Sequence, residues 1–405
     1  MYKYEITPLK KLVKTITCIL AILAINFGSA SAVETLKVGI ILPLTGKLAK
    51  YGNIEHKSFL MAAEEINVAG GVNDKKIELI IADTTGKPDA GRSAIEKLIN
   101  QEKVQVVGGG FSSTVTWAAI AIAQKNKVPF LVNTASADKI TEQGWEYIFR
   151  LNPPISEYPD TFKSFAKEVA VDIKTVAILH LNSLFGLSEA RKFTKQAEEL
   201  GLQIVIKQAF EASTTDYKPL LVKVKAKKPD LVYMIAYTME ASLLMRQSEE
   251  LNLNPKLFLG HAVGYTGPEF QINAGKAAEY VCSATRWTPT APYPGAQEYY
   301  NKFADRYGIP TDYHGAQAYS SMYVIAHALK RAKKLTPERV RNALAKTDMI
   351  TVFGPVKFVS YGNKVQQNRL PTLLVQWING KLATVWPKKN ATPNYIYPTP
   401  KWVKR

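Results

Sequence analysis

Val104-Gln105-Val106-Val107-Gly108-Gly109-Gly110-Phe111-Ser112-Ser113-Thr114 leads, after a helix-like run, to Val128-Pro129-Phe130-Leu131-Val132-Asn133-Thr134-Ala135-Ser136. The first segment reads as a strand over Val104–Val107, a glycine turn at Gly108-Gly109-Gly110 and a helix opened by Ser112, Ser113 and Thr114. The second reads as a strand over Val128–Val132 that ends in small polar residues. Together they form a β-turn-α-β unit with hydroxyl-rich loops at the carboxyl ends of adjacent strands. In an open α/β sheet, ligands sit in the crevice outside those ends. A helix N-terminus adds unpaired N–H groups and partial positive charge, which suits a carboxylate or another anion. The stretch predicts a grip for a small anionic molecule.

The same rhythm extends in both directions. Leu36–Leu42 is a continuous apolar run, and a helix is expected from about Ile54 to Ala69, closed by Gly70-Gly71. Ile77–Ala82 reads as a strand and Asp89–Gln101 as a helix. The pattern pauses at Asn152-Pro153-Pro154 and restarts with strands at Thr175–Leu179, Gln203–Gln208, Leu231–Ala236 and Leu257–Gly260. Helices are expected between them, then over Gly295–Tyr307 and Gly315–Lys333, and the tail from Val385 is expected to wrap the surface. Buried strands alternating with helices predict parallel sheets covered on both faces. Two such sets split by a proline-rich crossover predict an α/β fold of two Rossmann-like lobes with a cleft between them.

The N-terminus has the pattern of an export signal over residues 1–32. Lys10, Lys11 and Lys14 precede an apolar run from Ile16 to Phe27, and Ala30-Ser31-Ala32 supplies the small residues of a cleavage site. Cleavage there leaves 373 of 405 residues and a single cysteine, Cys282, so no internal disulfide can form. The formal charge of +18 falls to about +15 without the signal. Export argues against nucleic acid as the partner. The lysine pairs at Lys75-Lys76, Lys227-Lys228 and Lys333-Lys334 are dispersed and read as solvated. The other reading of this charge is a field that attracts anionic ligands or an acidic membrane surface.

Enzyme signatures are missing. There is no Cys-x-x-Cys, no His-Glu-x-x-His and no Gly-x-Ser-x-Gly. His56, His180, His261, His314 and His327 are scattered rather than spaced as metal ligands. Gly108-Gly109-Gly110 lacks the third glycine of a dinucleotide loop, because Ser113 stands in its place. No cofactor or metal is expected. The informative positions lie at strand ends. Ser113 either caps its own helix or binds ligand. Thr134, Ala135 and Ser136 can present backbone and hydroxyl groups. Tyr51, Phe185 and Tyr237 follow strands and can close over an apolar ligand. His261 follows another strand.

Several motifs are similar to those of the type I periplasmic solute-binding proteins, specifically the branched-chain amino acid (leucine/isoleucine/valine) binding proteins of ABC importers. They are Val38-Gly39-Ile40-Ile41-Leu42-Pro43-Leu44-Thr45-Gly46, Tyr51-Gly52, Ala62-Ala63-Glu64-Glu65-Ile66-Asn67 and Gly109-Gly110-Phe111-Ser112-Ser113. Val128-Pro129-Phe130, Phe149-Arg150 and Tyr319-Ser320-Ser321 extend the likeness over nearly the whole mature chain. The resemblance implies two lobes joined by three hinge crossovers, with residues 33–155 plus 284–368 in the first and 156–283 plus 369–405 in the second. It implies that Ser113, Thr134, Ala135 and Ser136 hold a ligand carboxylate, with Tyr51 and Tyr237 beside it. Two positions depart from the pattern. Phe185 stands where tyrosine is common, and Gly260-His261-Ala262-Val263 lacks the acid that pairs with an α-ammonium. The expected ligand is therefore a carboxylate without that ammonium, an aromatic or aliphatic acid, unless Glu240 or Glu269 replaces the missing acid. The implied role is non-enzymatic: periplasmic capture of a small solute by a monomer and delivery to a membrane permease. A periplasmic sensor and an exported nucleotide-dependent enzyme are the alternatives.

Overall fold

The computed structural model describes residues 35–391 and 394–404, so the expected export signal lies outside the described residues. In the first sheet, β1 (Thr35–Leu42) runs parallel to β2 (Lys76–Asp83) on one side and to β3 (Val106–Gly109) on the other. β4 (Phe130–Val132) and β5 (Ile148–Arg150) continue the parallel order. Helices α1 (Ala49–Val68), α2 (Pro88–Asn100) and α3 (Ser113–Lys125) connect these strands. The chain winds outward from β1 to β2 and then returns to β3. The carboxyl ends of β1 and β3 are therefore a switch point where two loops diverge and leave a crevice.

Helix α4 (Pro159–Glu168) opens the second lobe, and its sheet repeats this topology. β6 (Thr175–Leu181) lies between β7 (Gln203–Phe210) and β8 (Leu231–Ile235), all parallel. β9 (Leu257–His261) and β10 (Cys282–Thr285) follow in parallel. Between these strands run α5 (Leu184–Glu199), α6 (Lys218–Ala226), α7 (Thr238–Glu250), α8 (Ala262–Tyr265) and α9 (Pro268–Ala274). The last part returns to the first lobe with α10 (Ala296–Tyr307), α11 (Tyr313–Ala332) and α12 (Pro337–Ala345), then an antiparallel pair, β11 (Asp348–Thr351) and β12 (Gly354–Lys357).

Each sheet departs from the purely parallel expectation at one edge. β13 (Val359–Tyr361) lies antiparallel to β14 (Lys364–Gln367), which joins β5. β15 (Leu373–Ile378) lies antiparallel to β10, and β16 (Lys381–Trp386) antiparallel to β15. The short turn Asn379-Gly380, with both residues at positive φ, allows only a hairpin there. The tail also differs from a surface wrap. Val385 belongs to β16, and the buried Trp402 donates its indole N–H to the Leu253 carbonyl at 2.6 Å.

Two of the three glycines of the opening motif, Gly108 and Gly109, serve as strand rather than turn. Gly109 closes β3 at φ 105°, and a Cβ there would stand 2.3 Å from the Ile41 carbonyl oxygen of β1. Gly52 has the same role in α1, where a Cβ would meet the Pro43 carbonyl oxygen at 2.1 Å. The loop before α1 is fixed by Asp83, whose Oδ1 accepts from the Leu44 N–H at 2.8 Å and the Thr85 N–H at 2.7 Å. These contacts aim Tyr51 and the α1 N-terminus at the crevice.

Three segments cross between the sheets, and Arg286 ties them together. It follows β10, is almost wholly buried, and donates to the carbonyls of Leu370 and Pro154 on the other two crossovers. Its guanidinium lies 4.3 Å from the Tyr158 ring centroid. On the first-lobe side, Arg150 donates to Gln367 at 2.6 Å, the Ala137 carbonyl at 2.7 Å and Thr141 at 3.0 Å.

Candidate functional site

The two switch points face each other. From the first lobe come Phe111 and Ser113 after β3, Thr134 and Ser136 after β4, Asn152 and Tyr313. From the second come Phe185 after β6, Tyr237 after β8, and His261 and Val263 around the end of β9, while Tyr158 enters from the first crossover. These side chains line one small cavity between the lobes. Its free volume of about 20 Å³ has room for a single water. Cavities of about 460 Å³ at the outer side of the crossovers and about 380 Å³ beside α9 and α10 are larger, but neither is lined by Ser113, Thr134, Phe185, Tyr237 or His261.

The first-lobe wall is a set of hydrogen-bonding groups held from behind. Ser112, not Ser113, occupies the helix N-cap, and its side chain makes no capping bond. Ser113 is the first helical residue, and its Oγ accepts the Ala137 N–H at 3.2 Å. Its hydroxyl proton therefore remains available to the cavity. Asn152 donates to the Thr134 carbonyl at 2.6 Å and accepts from Gln317 Nε2 at 2.8 Å and the Tyr158 hydroxyl at 3.2 Å. The Thr134 hydroxyl lies 2.6 Å from Glu55 Oε1 and 2.9 Å from Gln317 Oε1. One hydroxyl proton cannot serve two acceptors. The network closes when Glu55 is protonated and donates to Thr134, which then donates to Gln317. Burial, partly offset by His314, pushes the Glu55 carboxyl up to about 7, in agreement with that arrangement.

The second-lobe wall is aromatic. Phe185 stacks on Tyr237 with centroids 5.6 Å apart, and Phe111 reaches over from the first lobe to 5.8 Å from Tyr237. Full burial of a phenylalanine contributes about 1.5–3 kcal/mol. His261 meets the Phe185 ring edge-on at 5.0 Å and the Tyr158 ring at 4.8 Å. Burial, reinforced by Arg286, pulls its imidazole down to about 3, so it is neutral. Neither ring nitrogen has a hydrogen-bond partner. Such buried unpaired groups cost about 1–3 kcal/mol each.

Six of the eight positions expected from sequence line the cavity: Ser113, Thr134, Ser136, Phe185, Tyr237 and His261. Two do not. Tyr51 stacks on Phe111 at 4.5 Å and spends its hydroxyl on Thr238 of the opposite lobe. Ala135 donates its N–H to the Gly110 carbonyl at 2.9 Å and packs its methyl into the first-lobe core. Phe111, Asn152, Tyr158, Val263 and Tyr313 also line the cavity and were not singled out for it. The Phe111-Ser112-Ser113 and Asn152-Pro153-Pro154 motifs flagged two of these places, but the aim of Tyr158 and Tyr313 depends on chain crossovers. The two acids offered as replacements lie elsewhere. Glu269 pairs with Lys50 at 2.5 Å near the surface, and Glu240 sits in the first turn of α7.

The sequence pattern of the periplasmic binding protein family matches residues 35–381. The leucine-, isoleucine-, valine-, threonine- and alanine-binding protein of Pseudomonas aeruginosa is 30% identical over 362 residues, covering 88% of this chain and 94% of that protein. The branched-chain amino acid transporter substrate binding protein LivJ from Streptococcus pneumoniae, solved with isoleucine, superposes with a TM-score of 0.79 at 25% identity. That match covers 90% of this chain and all of LivJ. An ABC transporter solute binding protein from R. palustris, solved with benzoate, superposes with a TM-score of 0.78 at 20% identity, covering 86% and 95%. The chain belongs to the type I periplasmic binding proteins of the branched-chain amino acid family, the solute-binding proteins of ABC transporters.

Proposed function

We propose that this protein is the exported solute-binding component of an ABC importer and that it captures a small aromatic carboxylate by hinge closure. The observation that carries this reading is the chemistry of the cavity wall. Its residues are aromatic, aliphatic or neutral and polar, and no carboxylate is among them. Ser113, Thr134 and Ser136, with the N-terminus of α3, would hold the ligand carboxylate through hydroxyl and backbone donors, while Ala135 supports this wall from the core behind it. Phe185 and Tyr237 would cover the ring, and His261 would face it. An α-ammonium would meet no anionic partner, and an unpaired buried charge costs several kcal/mol. Arg286, stacked behind Tyr158, makes the cavity still less hospitable to a cation.

Tyr51 would act in closure rather than in ligand contact. A ligand that touches both walls favours the closed form, which is the form offered to a membrane permease. The lobes follow the two sheets, the working unit is a monomer in the periplasm, and neither cofactor nor nucleic acid takes part. Both ligand chemistries seen in proteins of this fold, isoleucine and benzoate, belong in the test. Calorimetric titration of the mature chain should show binding of benzoate-type acids and none of leucine, isoleucine or phenylalanine. Binding of the amino acids in preference to the acids would overturn the reading.

A further inference from the structure

His261 is the one cavity-lining residue whose buried polar atoms are left without any partner. Asn152 is engaged with Thr134, Gln317 and Tyr158, Thr134 with Glu55 and Gln317, and Ser113 with Ala137. His261 ends β9 in the second lobe, across the cleft from the donors at Ser113 and Thr134. Its imidazole is only 3% exposed. In its neutral form it offers one N–H donor and one lone-pair acceptor, on ring nitrogens that point in different directions.

We infer that His261 reads a hydroxyl on the ligand, at the end away from the carboxylate, so that the ligand class is hydroxyaryl carboxylates. This rests on the aromatic-carboxylate reading of the same site. A hydroxyl can give or take a hydrogen bond, so it can pair with either nitrogen of the neutral imidazole. A methyl or hydrogen at that end would leave both nitrogens unpaired. A cationic group would find no carboxylate in the cavity wall to pair with. A site built to bond a hydroxyl discriminates against the analogue that lacks it, because its own buried groups then stay unpaired.

The test is calorimetric titration of the mature protein with benzoate, 3-hydroxybenzoate, 4-hydroxybenzoate and 4-methylbenzoate, the last matching the hydroxyl in size. The wild type should bind one of the hydroxybenzoates at least about tenfold tighter than 4-methylbenzoate. His261→Phe should bring that ratio close to one, whatever its effect on the absolute affinity for 4-methylbenzoate. His261→Gln, which restores a donor and an acceptor, should recover part of the preference. Equal wild-type affinity for the hydroxy and methyl acids overturns this inference and leaves the carboxylate reading standing. So does a hydroxyl preference that survives in His261→Phe. Binding of none of the four acids overturns both. The wild-type series alone decides the matter if His261→Phe does not fold.

Discussion

Tyr51 and Thr238 join the lobes at the mouth of the cleft: the phenolic oxygen lies 2.6 Å from Thr238 Oγ1 and accepts the Thr238 N–H at 3.0 Å. Thr238 is the first residue of α7, so the phenol oxygen satisfies one of the unpaired N–H groups at a helix N-terminus. A second contact runs to the Val263 carbonyl at 3.3 Å. These bonds exist only when the lobes are together. Tyr51→Phe keeps the stacking on Phe111 and removes them. The closed form should lose on the order of 1 kcal/mol, so ligand affinity should fall about five- to tenfold. Unchanged affinity in a titration would remove Tyr51 from the closure mechanism.

Glu55 gives stability a pH dependence of a particular sign. Its folded value of about 7 stands above the ordinary 4.5, so the folded protein holds this proton more tightly than the unfolded chain. Its contribution is fully present below about pH 4.5 and is lost as pH rises through about 7. The span is on the order of 3 kcal/mol as an upper bound. Glu189, raised to about 8 by burial, acts in the same sense. His261, lowered to about 3, acts oppositely, costing stability as pH falls below its ordinary 6.5. The difference between wild type and Glu55→Gln isolates the Glu55 share. Urea denaturation between pH 5 and 8 should find Glu55→Gln gaining on wild type as pH rises. A pH-independent difference would mean that Glu55 is ionised throughout.

Arg286 is expected to matter far more than its place in a connecting segment suggests. Removing it as Arg286→Ala leaves the Leu370 and Pro154 carbonyls without their donor and uncovers Tyr158. A loss of about 3–5 kcal/mol in unfolding free energy is expected, as for other broken buried charge networks. Chemical denaturation measures this. A change below about 0.5 kcal/mol, typical of a surface site, would contradict its role in tying the crossovers together.

Cys282 lies inside β10, buried, and its thiol is pushed up to about 12 by burial. The thiolate is the reactive form, so a thiol reagent should label the folded protein only as fast as it opens. Labelling should become rapid in denaturant. Rapid labelling of the native protein would show that the second sheet opens locally near β10.

Much of this molecule was legible in the chain. Apolar runs such as Leu36–Leu42 sit on strands buried on both faces, and that pattern is local. The hydroxyl-rich strand ends at Ser113, Thr134 and Ser136 were legible because topology forces ligands to carboxyl ends of parallel strands. The lack of an acid at Gly260–Val263 was visible too. Other features required the third dimension. Short edge strands such as β13 and β16 carry little periodicity, because burial on one side of a few residues leaves no pattern. Tyr51 kept its place beside the cleft but spends its hydroxyl on Thr238, a partner 187 positions away. Tyr158 and Tyr313 enter the wall because crossovers bring them there, and no spacing encodes that. The proton on Glu55 and the unpaired nitrogens of His261 follow from burial, which is a property of the packed molecule. Sequence determined which elements form and which hydroxyl-rich strand ends line the cleft. Tertiary structure decided which side chains face it and in what state of charge, because desolvation and long-range contacts exist only once the lobes are folded together.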